Sequence, residues 1–351
     1  MPSRDQARHH ARRRAAKAAL SAAAVVLVWC DAASAQEAAD FYRGKTISLV
    51  AGFNPGGGAD TYARLVARHL GRHVAGNPTV VVRNMQGAGS VVAANYVFNV
   101  SPKDGLELGL FAGNIVIDPL IGGTQHKYEA GAFNWIGAPS SDSNVCLSSP
   151  TTTFKTVDDV LQREMITGTS GTSTLDFPLT MNNVIGTKFK LVKGYAGSAA
   201  LRLAMERGEI EGFCGVGYNS MRTAGLLTPD KANILVQVGL SKNPNMPKVP
   251  FIFDYAKTDQ DRQIFTLVFG WLDLERPIAA PPGTPANRVQ ALRDGFDRAM
   301  KDAALLADAE KVNVGIEPMS GAAIAKFVED ASRTPPAVTA RAAQILGRVK
   351  Q

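Results

Sequence analysis

Residues 36–351 contain no apolar run long enough to span a bilayer, so no membrane helix is expected there. They also lack any block of basic residues interleaved with aromatics, which leaves nucleic-acid binding unsupported. Histidine is scarce: beyond residue 35 only His69, His73 and His126 occur, and they belong to no recognisable triad. Ser170 and Ser198 lack the Gly-x-Ser-x-Gly nucleophile elbow. Gly56-Gly57-Gly58 is followed neither by the Lys-Ser/Thr of a phosphate loop nor by a dinucleotide fingerprint. Catalysis and a cofactor are therefore not expected. A metal is not expected either, because His69 and His73, at i and i+4, have no evident third ligand, and a helix face or a partly buried position accounts for them more simply. Cysteine is nearly absent. Beyond the leader only Cys146 and Cys214 remain, which either pair in an oxidising compartment or stay as buried thiols on neighbouring strands.

What is present begins with a leader. Arg8, Arg12, Arg13, Arg14 and Lys17 form a basic region, Ala18 to Val28 an apolar stretch, and Ala33-Ser34-Ala35 a small-residue cleavage site. Residues 1–35 thus read as a secretory signal peptide, with Sec and twin-arginine export both open. Trp29 stands where a lipidated Cys30 needs a small residue, so Cys30 is expected to leave with the leader. Six basic and two acidic side chains in that segment supply +4 of the formal +7, leaving +3 beyond it. The basic balance is mostly a property of the leader.

After residue 35 the chain, 45% apolar over its whole 351 residues, reads as about two soluble domains. Thr46 to Val74 reads strand, glycine turn, helix: Ile47, Leu49, Val50 and Ala51 are an apolar run, Asn54 to Gly58 breaks it, and Tyr62, Leu65, Val66, His69, Leu70 and His73 recur at helical spacing. The unit repeats through Thr79–Arg83, the turn at residues 86–90, and a strand at Leu106–Phe111. Such alternation argues for parallel, doubly wound sheets. A second α/β domain follows, with strands expected at Val145–Leu147, Phe189–Val192, Ile210–Val216 and Ile234–Leu240. Past Phe265 the chain returns to the first domain, and Pro281-Pro282-Gly283-Thr284-Pro285 opens a helix there. The expected division is a discontinuous domain 1 at 36–138 and 269–351 around an inserted domain 2 at 139–268. That is a hinge architecture with a ligand cleft between the domains.

Four loops share one chemistry. Residues 54–60, 86–90, 168–173 and 194–198 each follow a strand, are rich in Gly, Ser or Thr, and precede a helix. Glycine lets backbone approach a ligand, and a helix N-terminus offers unpaired N–H groups and partial positive charge. At the carboxyl ends of strands, two loops per domain would present those groups to one cleft and hold an anion with two separated acidic ends. Asp60 reads as a structural cap and loop brace, since a carboxylate would repel such a ligand. Arg83 pairs either with a ligand acid or with a surface carboxylate.

The segments Gly52-Phe53-Asn54-Pro55-Gly56-Gly57-Gly58-Ala59-Asp60, Val82-Arg83-Asn84-Met85-Gln86-Gly87-Ala88-Gly89, Gly208-Glu209-Ile210-Glu211 and Ala280-Pro281-Pro282-Gly283-Thr284-Pro285 resemble, in order, the recurring motifs of the TctC/Bug family, the periplasmic solute receptors of tripartite tricarboxylate transporters. The resemblance implies an α/β, two-domain type II periplasmic binding protein fold, a venus flytrap. It further implies capture of a small carboxylate-bearing organic acid (a dicarboxylate, tricarboxylate or aromatic acid) in the periplasm, delivery to the transporter's membrane permease subunits, and a monomeric chain. The ligand-binding residues are then expected at Phe53, Asn54, Pro55, Gly56, Gly57 and Gly58; at Gly87, Ala88, Gly89 and Ser90; at Gly168, Thr169, Ser170, Gly171, Thr172 and Ser173; and at Tyr195, Gly197 and Ser198. The match is looser in the second domain, where Glu211 stands for the family's usual aspartate and the loop at 168–171 is one residue short. A bulky residue at Gly57 or Gly87 is expected to block binding and leave the fold intact. The alternatives are a receptor feeding a sensor kinase and, less favoured, an enzyme on a binding-protein fold.

Overall fold

The computed structural model describes residues 36–122 and 125–348, so the leader at 1–35 lies outside the described residues. A short helix α1 (residues 36–42) precedes β1 (Thr46–Ala51), α2 (Gly58–Leu70), β2 (Thr79–Asn84), α3 (Val91–Asn99), β3 (Glu107–Leu110) and β4 (Asn134–Ala138). The middle of the chain gives β5 (Asn144–Ser148), α4 (Val157–Gln162), β6 (Met165–Gly168), α5 (Thr172–Val184), β7 (Phe189–Val192), α6 (Ser198–Glu206), β8 (Gly212–Gly217), α7 (Tyr218–Thr223) and β9 (Asn233–Val238). Then follow α8 (Asp259–Phe269), β10 (Ile278–Ala280), α9 (Ala286–Ala299), α10 (Ala303–Lys311), β11 (Met319–Ser320), α11 (Gly321–Ser332) and α12 (Pro336–Ile345). No helix among the described residues is long and apolar enough to cross a membrane.

Two sheets result, ordered β11-β4-β10-β3-β1-β2 and β7-β6-β8-β5-β9. As expected, β1 runs parallel to β2 and β3, and β6 parallel to β7 and β8. Neither sheet is parallel throughout. β10 is antiparallel to β3 and β4, β11 to β4, and β5 to β8 and β9. The reason is the crossovers. The chain leaves β4 at its carboxyl end and enters the second sheet at once as β5, so β5 starts at the edge where β8 and β9 finish. β10 returns to the first sheet in the same way.

Side chains alternate across β1: Ile47, Leu49 and Ala51 join the core under α2 and α9, while Val50 faces the opposite core. That opposite core is continuous between the sheets. It takes in Phe111 and Trp135, Phe177 and Met181 of α5, Phe265 and Phe269 of α8, and Val338 and Ala342 of α12. The last helix therefore packs on α8 and α5. Helix α8 has a reciprocal cap, in which Asp261 N–H donates to Thr258 Oγ1 (3.1 Å) and Thr258 N–H to the Asp261 carboxylate (2.9 Å). Cys146 on β5 and Cys214 on β8 form a disulfide across adjacent strands.

Candidate functional site

The four glycine-rich loops all lie at carboxyl ends of parallel strands: the first after β1, the second after β2, the third after β6 and the fourth after β7. The first two are bound to each other. Asn84, the last residue of β2, donates through Nδ2 to Asp60 Oδ1 (2.8 Å) and to the Phe53 carbonyl (3.1 Å). Asp60 Oδ2 accepts from Gly56 N–H and from Arg64 Nε, both at 2.8 Å, and Arg64 Nη2 returns to Asn84 Oδ1 (3.2 Å). Asp60 is only 2% exposed. Burial opposes its ionisation, but the hydrogen bonds from Arg64, Asn84 and Gly56 outweigh it and hold the carboxyl below its ordinary range. Its charge is thus consumed inside the loop, while Asn54, Pro55, Gly56, Gly57 and Gly58 stay exposed at the tip and Phe53 is half-buried.

The second loop has four consecutive left-handed residues, Gly87 (φ 143°), Ala88 (45°), Gly89 (61°) and Ser90 (75°). For Ala88 and Ser90 that conformation costs roughly 1–2 kcal/mol each. The turn it produces aims Ser90 inward: its hydroxyl donates to the Gly52 carbonyl (2.9 Å) and accepts from Ala112 N–H (3.1 Å). Ser90 therefore joins the ends of β1 and β3 and presents no free hydroxyl to a ligand, unlike the sequence expectation. Ala88 and Gly89 are exposed.

The third loop differs from expectation in the same manner. Thr174 Oγ1 accepts from the N–H groups of Ser170 (2.8 Å) and Gly171 (2.9 Å), so these two donors are already spent. Thr169 is buried, and both its N–H and its hydroxyl turn to the Val192 carbonyl (2.8 and 3.4 Å). Ser173 donates to the Gly215 carbonyl on β8 (2.9 Å). Gly168 is buried under Leu201, Ile210 and the Tyr195 ring, which is half-buried and packs with that second-sheet core. Within this loop the Ser170 side chain is half-buried and the Gly171 backbone exposed. Thr172 starts α5. The fourth loop exposes Ser198 at the start of α6, after Gly197 in an extended left-handed turn (φ 144°). Tyr195 N–H reaches the Thr169 carbonyl at 3.4 Å, so the third and fourth loops form a second bonded pair.

Sequence reasoning missed a feature beside the first loop, a cavity of about 320 Å³ between the sheets. Gly58, Thr61 and Tyr62 of α2 line one wall and Asn219 and Ser220 of α7 another, with Asp142 and Arg276 from the two crossing segments between them. Arg276 holds a left-handed φ of 62°, lies over the Tyr62 ring at 4.3 Å, pairs with Glu275, and donates through Nη1 to Ser140 Oγ (3.0 Å). Asp142 accepts from Asn219 N–H at 3.3 Å. Burial, reinforced by Glu275, pushes its carboxyl up to about 7.

No protein-family model and no curated protein matches the chain. Solved structures do. A TctC solute-binding protein from Polaromonas, without ligand, superposes with a TM-score of 0.67 at 19% identity, covering 88% of this chain and all of that one. The periplasmic binding protein BugD gives 0.61 at 18%, covering 88% of this chain and 100% of its own. A protein of R. palustris solved with adipate gives 0.61 at 19%, covering 86% of this chain and 97% of its own. This is the fold of the TctC and Bug solute-binding proteins.

On that TctC/Bug fold Arg83, His69 and His73 have structural partners, whereas His126 Nδ1 is buried without a hydrogen-bond partner among the described residues. Arg83 pairs with Glu107 (2.7 Å) and lies over the Tyr96 ring. His73 Nε2 meets Asp302 at 2.6 Å, and His69 Nε2 meets Asp308 at 3.0 Å. Arg72 Nη2 lies against His69 Nδ1 on the other edge of that ring. The two histidines thus tie α2 and the turn that follows it to α10 and its preceding residue Asp302.

Proposed function

We propose that the chain is a periplasmic receptor that captures a small carboxylate-bearing organic acid between its two domains, 36–138 with 269–351 and 139–268, and delivers it to the permease of a tripartite tricarboxylate transporter. The observation that carries this reading is the first loop. Its exposed tip, Asn54 to Gly58, opens directly into the 13-residue helix α2, and its one carboxylate, Asp60, is neutralised internally by three donors. The Gly56 N–H is spent on Asp60 and Pro55 has none, but a tip with the N–H groups of Asn54, Gly57 and Gly58 and no free negative charge suits a carboxylate. The neutral tips of the second and fourth loops, Ala88-Gly89 and Ser198, offer the remaining contacts. The adipate carried by one protein of the same fold supports a dicarboxylate as the first candidate.

A thermal-shift screen of the exported protein tests the proposal, run after partial unfolding and dialysis to strip retained solute. The panel holds adipate and other organic acids, aromatic acids, amino acids and sugars. A ligand confined to the folded state adds about 2.7 kcal/mol at a hundredfold excess over Kd. The expected result is a shift with one class of carboxylates, matched by calorimetry and without turnover. No shift with any acid, or slow consumption of one, would overturn it. Uptake and signalling assays after disruption of each candidate partner separate delivery to a permease from delivery to a sensor kinase.

A further inference from the structure

The candidate loops of the two sheets are supported by segments that one residue near the C-terminus joins. Helix α12 ends in a reverse turn. Gly347 adopts a left-handed conformation (φ 66°) and donates to the Gln344 carbonyl (3.1 Å), and Arg348 N–H donates to the Ala343 carbonyl (2.8 Å). This is the paired-bond helix stop that glycine permits, and it fixes the direction in which the next residue leaves. The next residue is Arg348. Its carbonyl lies so close to Gly122 that a Cβ there would come within 2.4 Å, so the segment is seated against the first sheet's connection.

From that seat the guanidinium divides its two ends. Nη1 pairs with Asp118 Oδ1 at 2.8 Å, and Nη2 with Asp176 Oδ2 at 2.5 Å. Asp118 follows β3 and also accepts from Asn114 Nδ2 (2.5 Å), the side chain nearest to Gly89 of the second loop. Asp176 sits on α5, whose first turn carries the third loop. Both carboxylates are about nine-tenths buried, and Arg348 is four-fifths buried. We propose that Arg348 is a positioning residue that sets the separation of the two half-sites, clasping the β3 side of the first sheet to α5 of the second. Without its charge, two buried carboxylates of like sign would face each other, and the means at hand to relieve that repulsion is to move apart or take up a proton.

The clasp has a built-in dependence on acid. Burial raises the Asp176 carboxyl to about 6, against the pull of Arg348 and with a further push from Asp118. Among the described residues those two are the charges acting on Asp176; the partners of α5 on its other side, Phe177 against Phe269 and the α12 face with Val338 and Ala342, are apolar. Protonation near that pH removes one arm of the clasp.

The test needs no solute, so its outcome is independent of the receptor reading. Spin labels at two exposed positions, one per sheet, Thr79→Cys and Lys193→Cys, report the interdomain distance in the exported protein with its disulfide intact. The expected result is a narrow distribution at pH 7.5 that broadens toward longer distance by pH 5. Arg348→Gln should be broad at both pH values. Asp176→Asn should lose the pH response, and Arg348→Lys should recover part of the narrow distribution at pH 7.5. Circular dichroism identifies a variant that fails to fold; should Arg348→Gln do so, Asp176→Asn and Asp118→Asn carry the test. Distributions in the variants that match the unsubstituted protein at both pH values, or a wild-type distribution insensitive to pH, would overturn the proposal.

Discussion

Gly57 and Gly87 occupy equivalent places in the sequence pattern, yet their backbones separate them. Gly57 has an ordinary extended conformation (φ −81°), and a Cβ there would meet only the Asn54 carbonyl, at 3.6 Å. Gly57→Leu should therefore change stability by no more than about 0.5 kcal/mol. By covering the exposed tip it should weaken solute binding about tenfold or more, the worth of one charge-assisted hydrogen bond. Gly87 has φ 143°, and a Cβ would lie 2.7 Å from Val92, so Gly87→Leu should cost roughly 1–3 kcal/mol of stability, and the expectation of an intact fold is corrected at this position. Parallel thermal melts and calorimetry on the two variants check the contrast. Asp60→Ala removes the acceptor of three donors and should cost about 1–3 kcal/mol, read as a lower denaturation midpoint. Glycine placement was legible in the sequence because it follows strand and turn spacing. The inward turn of Ser90 and Ser173 was not: it depends on a left-handed φ at Ser90 and, for Ser173, on a carbonyl 42 residues away.

At the level of elements, local pattern reaches only as far as local cause. Strands β1, β2, β3 and β7 fell where apolar runs placed them; β1, β2 and β7 are each followed by a glycine-rich turn and a helix, while β3 leads through short helical turns to β4. Strands β10 and β11, of three and two residues, are too short to carry a period, and their direction is set by where the chain crosses between sheets. Helix α8 opens on a local signal, Thr258 followed three residues later by Asp261, and its apolar aromatic end, Phe265 to Phe269, joins the core that runs between the sheets. The cavity at Arg276 was illegible for a related reason, since its walls come from five separate segments. The disulfide belongs to this scale too. It joins β5 to β8 across 68 residues of sequence, so reduction should remove about 2–4 kcal/mol by freeing the unfolded chain. A Cys146→Ala, Cys214→Ala double variant that melts like the oxidised protein would contradict that ledger of chain entropy.

For the whole molecule, carboxylates of two kinds set the response to pH, and their signs oppose. Asp60, Asp159, Asp302 and Asp308 are held below their ordinary range by hydrogen bonds, with charged partners at Asp60, Asp302 and Asp308. Their contribution is present above the unfolded carboxylate range, near 4, and is lost as pH falls below it. Asp142, raised to about 7, and Asp176, raised to about 6, are held up mainly by burial. Each binds a proton more readily folded than unfolded, so its contribution is complete at low pH and is lost as pH rises through its folded value. Stability should accordingly rise from pH 8 to about 6, pass through a maximum near pH 5, and fall below 4. Across the upper part of that range the clasp at Arg348 loosens while the melting temperature climbs, which separates the domains' placement from their stability. Asp142→Asn keeps an acceptor for Asn219 N–H and removes the charge, so most of the rise between pH 8 and 6 should disappear in that variant. Melting curves of the two proteins at half-unit steps from pH 3 to 8 decide the matter: a wild-type curve flat above pH 6, or an equal rise in both, would mean that Asp142 is not the group that titrates.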